Sequence, residues 1–502
     1  MSDMGNNDSD RASTGIGGLD NILRGGLPRN RLYLLEGNPG TGKTTLGLQF
    51  LLEGARTGER ALYITLSETK EELTAVARSH GWSLDSLTIC DLTISENSLK
   101  GDSHYTVFHP SEVELDETTR AVLDEVERIK PARVVFDSLS EVRLLARDAL
   151  RYRKQILALK QYFMGKNCTV LLLDDHTSEE SDRQLESIAH GVINLEYIPP
   201  EYGKQRHRLR ALKMRGVNFQ SGYHDFNIET GGLVVFERLT ATEHEANLET
   251  GSLLSGQPEL ELLLGALDYG TSTMILGPAG IGKSTLALMY ACQAAERGER
   301  AALYLFDESL SNMYVRMSAL GLDIKDHVKA GRITARQIDP AELSPGEFTH
   351  MVCREVEDNN ACVILIDSLN GYLMATPEAR FLTMQFHELL SYLNRKSVVT
   401  LLVMAQYGLV GSMQTPVDLS YMADTVVLMR YFEAGGEVRQ AISVVKKRTG
   451  KHERTIREFR IDQGGIHLGG PLRDFRGILT GVPMYEGERE KLMEDEDGDA
   501  KK

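Results

Sequence analysis

The chain has 502 residues, with 56 basic and 72 acidic side chains and a formal net charge of −16. That charge opposes a long, sequence-independent grip on DNA or RNA, which needs a basic face. A hydrophobic content of 41%, with 14 Pro and 46 Gly, excludes a disordered or collagenous chain, and length alone leads to an expectation of about three domains.

In chain order, residues 1–13 lack an apolar core and read as a mobile lead, not a secretory signal. RLYLLEG (31–37) is a short apolar strand, followed by a glycine loop and the helical run TTLGLQFLLEGAR. RALYITL (60–66) is the next strand. RVVFD (133–137) and CTVLLLDD (168–175) are β-branched apolar runs suited to a sheet covered on both faces, and the helical stretch LRYRKQILALKQYFM separates them. STMILG, AALYLF, CVILID and VVTLLVMAQ then repeat this order. Strands alternating with helices predict an α/β fold with mainly parallel sheets flanked by helices. No apolar run approaches the length of a spanning helix. Cys90, Cys168, Cys292, Cys353 and Cys362 are scattered without a C-x-x-C pair, which suits reduced thiols in cytoplasm and opposes a disulfide framework or structural zinc.

The repetition is detailed. GNPGTGKTT at Gly37–Thr45 recurs as GPAGIGKST at Gly277–Thr285, and RALYITLSET recurs as AALYLFDES. RVVFDSLS, with Asp137, recurs as VILIDSLN, with Asp367, and ALKMRG recurs as VVKKRT. Four matches in the same order make two tandem copies of one domain. Their expected extents are 14–240 and 250–486, separated by polar sequence near 240–250 and followed by a charged tail at 487–502.

Each copy carries a full P-loop, Gly37-x-x-x-x-Gly42-Lys43-Thr44 and Gly277-x-x-x-x-Gly282-Lys283-Ser284, between a predicted strand and a predicted helix. Glycines, Gly40 and Gly280 among them, let successive amides turn toward phosphate oxygens, and the helix N-terminus that opens with Thr45 or Thr285 adds partial positive charge. Lys43 and Lys283 are expected to reach the β- and γ-phosphates of ATP, and Thr44 and Ser284 to hold Mg²⁺ together with the strand-end acids Asp137 and Asp367. Glu68 and the pair Asp307–Glu308 follow the second strand of each copy, where a carboxylate can accept a proton from an attacking water or hydroxyl. His176 and Gln406 end strands, as γ-phosphate contacts or as ordinary strand-end polar residues. Lys213/Arg215 and Lys446/Arg448 occur late in each copy, as surface charge or as elements reaching a neighbouring subunit's nucleotide.

These residues resemble the KaiC family, the double-domain, RecA-like clock ATPases and autokinases, over about 14–485. The opening STGIGGLDNILRGGLPRNRLYLLEGNPGTGKTTL is typical of a family domain, and DLSYMADTVVLMRYFEAGGEVRQAISVVKKRTGKHERTIREF (418–459) is more specific, because RecA recombinases and replicative helicases lack it. The resemblance implies a hexameric ring of double-layered subunits with ATP at the interfaces, a first copy that is mainly an ATPase, and a second copy that is also an autokinase and autophosphatase. It places the family's paired acids at Asp307 and Glu308, but at Ser67 and Glu68 in copy one, where one acid is missing. It makes Lys213/Arg215 and Lys446/Arg448 the interface Lys-x-Arg elements, and aligns the phosphorylated hydroxyls with Ser420 and Tyr421 and an earlier one with Thr415. Cyanobacterial clock proteins carry Ser-Thr where this chain has Ser-Tyr, a departure that points to a non-clock branch of bacterial relatives. The short acidic tail lacks heptads and so carries no sign of docking a clock activator.

The leading expectation is therefore a cytoplasmic KaiC-like ATPase and autophosphorylating kinase that works as a ring-shaped switch with a signalling or Kai-like partner. Stacking of two hexamers into a dodecamer is left open. The alternatives are an ATP-gated hexameric scaffold with little kinase turnover, and a DNA-dependent RecA-like ATPase, against which the net charge counts.

Overall fold

The structure, a computed structural model, describes residues 10–93, 110–146, 148–175, 185–199, 202–246, 250–374, 379–406, 419–479 and 483–487. His176 and Thr415 lie outside these residues. The chain divides into two compact units, Met1–Arg238 and Leu239–Lys502.

In the first unit the sheet strands are β1 (Leu32–Gly37), β2 (Ala61–Thr65), β3 (Thr88–Asp91), β4 (Arg133–Asp137), β5 (Thr169–Asp175), β6 (Gly191–Ile198), β7 (Arg206–Met214), β8 (His224–Glu229) and β9 (Gly232–Phe236). They form one sheet in the order β3-β2-β4-β5-β1-β6-β7-β8-β9. The first six are mutually parallel and the last three run as antiparallel hairpins. The sequence pattern anticipates the parallel half but not the three-strand antiparallel extension, whose strands carry polar residues at alternate, half-exposed positions.

Period-two alternation assigns the two faces. Tyr33 and Leu35 of β1, Val135 of β4 and Leu171 and Leu173 of β5 share a core with Leu46, Leu48, Phe50 and Leu51 of helix α1 (Lys43–Arg56). Leu32, Leu34, Val134, Phe136, Val170 and Leu172 face the other way, onto Ile156, Leu159 and Phe163 of helix α2 (Ala149–Met164). Each such side chain contributes roughly 1.5–3 kcal/mol by burial. Continuous apolar runs are thus strands covered on both faces.

The second unit repeats the plan with β10 (Ser272–Gly277), β11 (Arg300–Leu305), β12 (Ile333–Gln337), β13 (Ala361–Asp367), β14 (Val399–Ala405), β15 (Thr425–Ala434), β16 (Glu437–Lys447), β17 (Arg457–Asp462) and β18 (Gly465–Pro471). Their order is β12-β11-β13-β14-β10-β15-β16-β17-β18, the same path through the sheet. Helix α3 (Lys283–Glu296) covers one face, and helix α4 (Ala379–Arg395) covers the other. Among the described residues, no helix is long and apolar enough to cross a membrane.

Candidate active site

In each unit the phosphate loop joins the central strand, β1 or β10, to the helix behind it. Gly42 and Gly282 stand at the helix N-caps with φ of 94° and 104°, a left-handed conformation that favours glycine. Gly40 and Gly280 also have positive φ, 83° and 77°. Gly37 is required for a different reason. A Cβ there would lie 2.5 Å from the Leu195 carbonyl oxygen on the adjoining strand, and one on Gly277 would lie 2.6 Å from the Met429 carbonyl oxygen.

The acids arrive on neighbouring strands. Thr44 donates to Asp137 Oδ2 at 3.2 Å, and Tyr63 donates to the same oxygen at 2.5 Å. Burial pushes the Asp137 carboxyl up, opposed by these hydroxyls. Burial likewise raises Asp367, to about 6, opposed first by the Ser284 hydroxyl and reinforced by the nearby Glu308 charge. Asp367 Oδ2 is buried without a hydrogen-bond partner. A carboxylate oxygen held dry and unbonded beside a hydroxyl fits a hydrated Mg²⁺, which needs one or two carboxylates with waters and phosphate oxygens. The glycine cradle at each helix N-terminus fits a polyphosphate. Burial lowers the Lys283 ammonium, with Asp367 and Asp307 opposing.

The two sites differ in how they hold their acids. In the first, Glu68 Oε2 is buried without a hydrogen-bond partner, and burial followed by the Asp137 charge raises its pKa. In the second, Glu308 is gripped by Arg316, with Nη2–Oε2 at 2.6 Å and Nε–Oε1 at 3.2 Å, while Arg316 Nη1 donates to Thr285 Oγ1 at 2.8 Å. Asp307 accepts a short hydrogen bond from Ser368. The first unit has Val76 at the helical position of Arg316, and its Thr45 hydroxyl instead lies 3.4 Å from His80 Nε2. Ser67 replaces Asp307. Arg316, Ser368, Tyr63 and His80 have no motif to flag them; only the repeat alignment, showing arginine against valine, could have singled out Arg316.

Gln406 lies at the loop, its amide donating to the Gly277 carbonyl at 3.0 Å and its Oε1 buried without a hydrogen-bond partner. The remaining expected residues are elsewhere. Lys213 Nζ donates to the Glu186 and Ala189 carbonyls at 2.5 and 2.9 Å, and Arg215 Nη2 to the Ser187 carbonyl at 2.7 Å. Lys446 Nζ donates to the Ser420 and Ala423 carbonyls at 3.0 and 2.6 Å. Arg448 pairs with Asp424 at 3.2 Å and donates to the Tyr421 carbonyl at 2.9 Å. All lie where β6 and β15 begin, whereas the phosphate loops lie where β1 and β10 end. Arg215 is level with His190, and Gly37 with Leu195. Five strand positions separate those levels, roughly 16 Å. Residues 420–422 form a turn in which Tyr421 is exposed and Ser420 half-buried.

Comparison with known proteins accounts for both units together. The KaiC ATPase family model matches twice, over residues 12–240 and 254–472. The chain belongs to the KaiC ATPase family. It is 26% identical to the circadian clock protein KaiC3 of Synechocystis sp. over 498 residues, 98% of each chain. It is 26% identical to the circadian clock oscillator protein KaiC of Picosynechococcus sp., covering 93% of this chain and 91% of that one. The corresponding protein of Synechococcus elongatus is 25% identical, over 94% of this chain and 91% of that one. Membership in this ATPase family explains two complete phosphate loops in one chain and the shared nine-strand plan.

Proposed function

We propose that this KaiC-family ATPase binds Mg²⁺·ATP in both units, assembles as a hexameric ring, and transfers phosphate in its second unit to its own Ser420 or Tyr421. One observation carries the reading. In each unit the phosphate loop lies at one end of the sheet, and the Lys-x-Arg element lies at the other, as do Ser420 and Tyr421 in the second unit. A residue at one end cannot serve the nucleotide at the other end of its own sheet, but a ring juxtaposes opposite ends of successive subunits. Arg215 and Arg448 then act on a neighbour's phosphates.

Lys43 or Lys283 and the loop amides hold the polyphosphate, while Thr44 with Asp137, or Ser284 with Asp367, supply the protein's share of the Mg²⁺ shell. Bound Mg²⁺ offsets charge on the β- and γ-phosphate oxygens. In hydrolysis Glu68 or Glu308 takes the proton of the attacking water. In self-phosphorylation the Ser420 hydroxyl oxygen bonds to the γ-phosphorus, the bond to the β-phosphate oxygen breaks, ADP leaves, and an acid of the neighbouring site takes the hydroxyl proton. Ser420 is the principal acceptor and Tyr421, with its longer reach, the secondary one. The turn at 420–422 frees the pair from the strict facing of neighbouring strand residues.

The scaffold reading has its own support: both acids of the second site are engaged, Glu308 by Arg316 and Asp307 by Ser368. Site-resolved phosphopeptide mapping with native mass separates the two. Self-phosphorylation predicts label on Ser420 in the wild type, none in Lys283→Ala, and recovery when Lys283→Ala and Arg448→Ala subunits are mixed. Hydrolysis with no label on either hydroxyl leaves the scaffold, and a monomer by native mass removes the ring.

A further inference from the structure

The first site contains a carboxylate that the second lacks. Asp175 closes β5 directly beside the last residue of β1, in register with Gly37. Its Oδ1 lies 2.7 Å from Lys43 Nζ, and the pair is largely shielded, with side-chain exposures of 28% for Asp175 and 9% for Lys43. Lys43 Nζ also donates to the Gly37 and Asn38 carbonyls at 2.8 and 3.0 Å. Its three donors therefore have three acceptors before any phosphate arrives. Asp175 is held in place by its amide, which accepts support from Ser140 Oγ by donating to it at 3.2 Å. The preceding Asp174 points away, into an ion pair with Arg143 at 2.5 Å.

The second unit provides the comparison within the same chain. Ala405 occupies the corresponding register, opposite Gly277. Lys283 Nζ donates to the Pro278 carbonyl at 2.7 Å, and no ion pair to it is found among the described residues. The acid missing from the first site at Ser67 is thus offset by one at Asp175, but the charge has moved. Asp307 closes in from the second strand of its unit, beside Ser368, whereas Asp175 sits on the lysine itself.

We propose that Asp175 is a specificity-determining residue of the first site, a built-in competitor with the γ-phosphate for Lys43 that lowers this site's preference for ATP over ADP. The inference rests on the nucleotide-binding reading of the first phosphate loop. ATP binds by drawing Lys43 from Asp175 and leaves that carboxylate facing a γ-phosphate of like charge. ADP, with no γ-phosphate, leaves the Lys43–Asp175 pair in place. The first site therefore exchanges ADP for ATP at a higher ATP-to-ADP ratio than the second.

The single tryptophan makes this measurable in the full chain. Trp82 packs on His80 with ring centroids 4.8 Å apart, and His80 Nε2 lies 3.4 Å from Thr45 Oγ1 in the first phosphate loop. Energy transfer from Trp82 to methylanthraniloyl-ATP or -ADP, with Mg²⁺ present, reads the first site. Asp175→Asn, which keeps the side-chain size, should tighten ATP about tenfold, as expected for removal of a partly buried ionic competitor worth about one decade in affinity, and change ADP less than about twofold. In a Lys43→Ala chain, Ala405→Asp should weaken ATP binding to the second site, measured by calorimetry. An Asp175→Asn chain whose ATP-to-ADP preference is unchanged or reduced overturns the proposal. If Lys43→Ala itself leaves energy transfer intact, the phosphate-loop reading fails first, a distinct result.

Discussion

Replacing Arg316 with Met should raise the hydrolysis rate of the second unit. In its proposed role Glu308 would have to leave the guanidinium, which holds both of its oxygens at 2.6 and 3.2 Å, before taking a proton from water. Both side chains are about a third to a quarter exposed, 32% and 26%, so water already screens the pair. Its net worth is then about 1 kcal/mol, and its good bidentate geometry takes the cost of freeing Glu308 toward 1.4 kcal/mol, about tenfold in rate. The same change removes the Arg316 hydrogen bond to Thr285, worth about 1 kcal/mol. The second unit should therefore lose about 2 kcal/mol of stability and melt roughly 4–8 °C lower. Steady-state phosphate release is measured in a Lys43→Ala background, so that only the second site turns over, and ATP affinity is measured in parallel. Arg316→Lys, which keeps the charge but loses the fork, should fall between. A rate that stays constant or drops while ATP affinity is intact would refute the reasoning and make Arg316 a positioning residue that Glu308 needs.

Two structural predictions concern the first unit. His224 is 1% exposed and neutral: its Nδ1 accepts the Arg238 amide at 2.9 Å, and its other nitrogen lies 3.3 Å from the Gln220 carbonyl. Burial depresses its pKa from 6.5 to about 4, so its stabilisation is complete above pH 6.5 and lost as pH falls toward 4, about 3 kcal/mol in all. Urea midpoints should fall across that window, and His224→Gln should flatten the fall without abolishing it, because burial depresses His190 and His207 as well. Gly54→Ala, which in an open helix gains up to about 1 kcal/mol, should instead cost about 1–3 kcal/mol. Its Cβ would lie 2.5 Å from Cδ of Arg133, a 1%-exposed side chain held by Glu59 and by the Ser13 and Phe50 carbonyls; a higher melting temperature would contradict this.

The sequence by itself determined the duplication, the two phosphate loops and the parallel strands that carry them. Those features are local: a left-handed glycine, the strand before it and the helix after it lie within one continuous stretch, Leu32 to Arg56, and strands covered on both faces must be apolar throughout. Asp137 and Asp367 were legible for the same reason, each closing an apolar run that occurs twice. The contacts that distinguish the two sites were not legible. Lys43 meets Asp175 because β5 lies beside β1, and Ser368 meets Asp307 because β13 lies beside β11. Arg316 meets Glu308 across two turns of helix, a spacing that means nothing until the strand end is placed against it. The separation of the Lys-x-Arg elements and Ser420 from their own phosphate loops likewise depends on β6 and β15 running parallel to the central strand. Only the tertiary structure decided these points, because strand order is set by packing over the whole sheet, and no short stretch of sequence contains it.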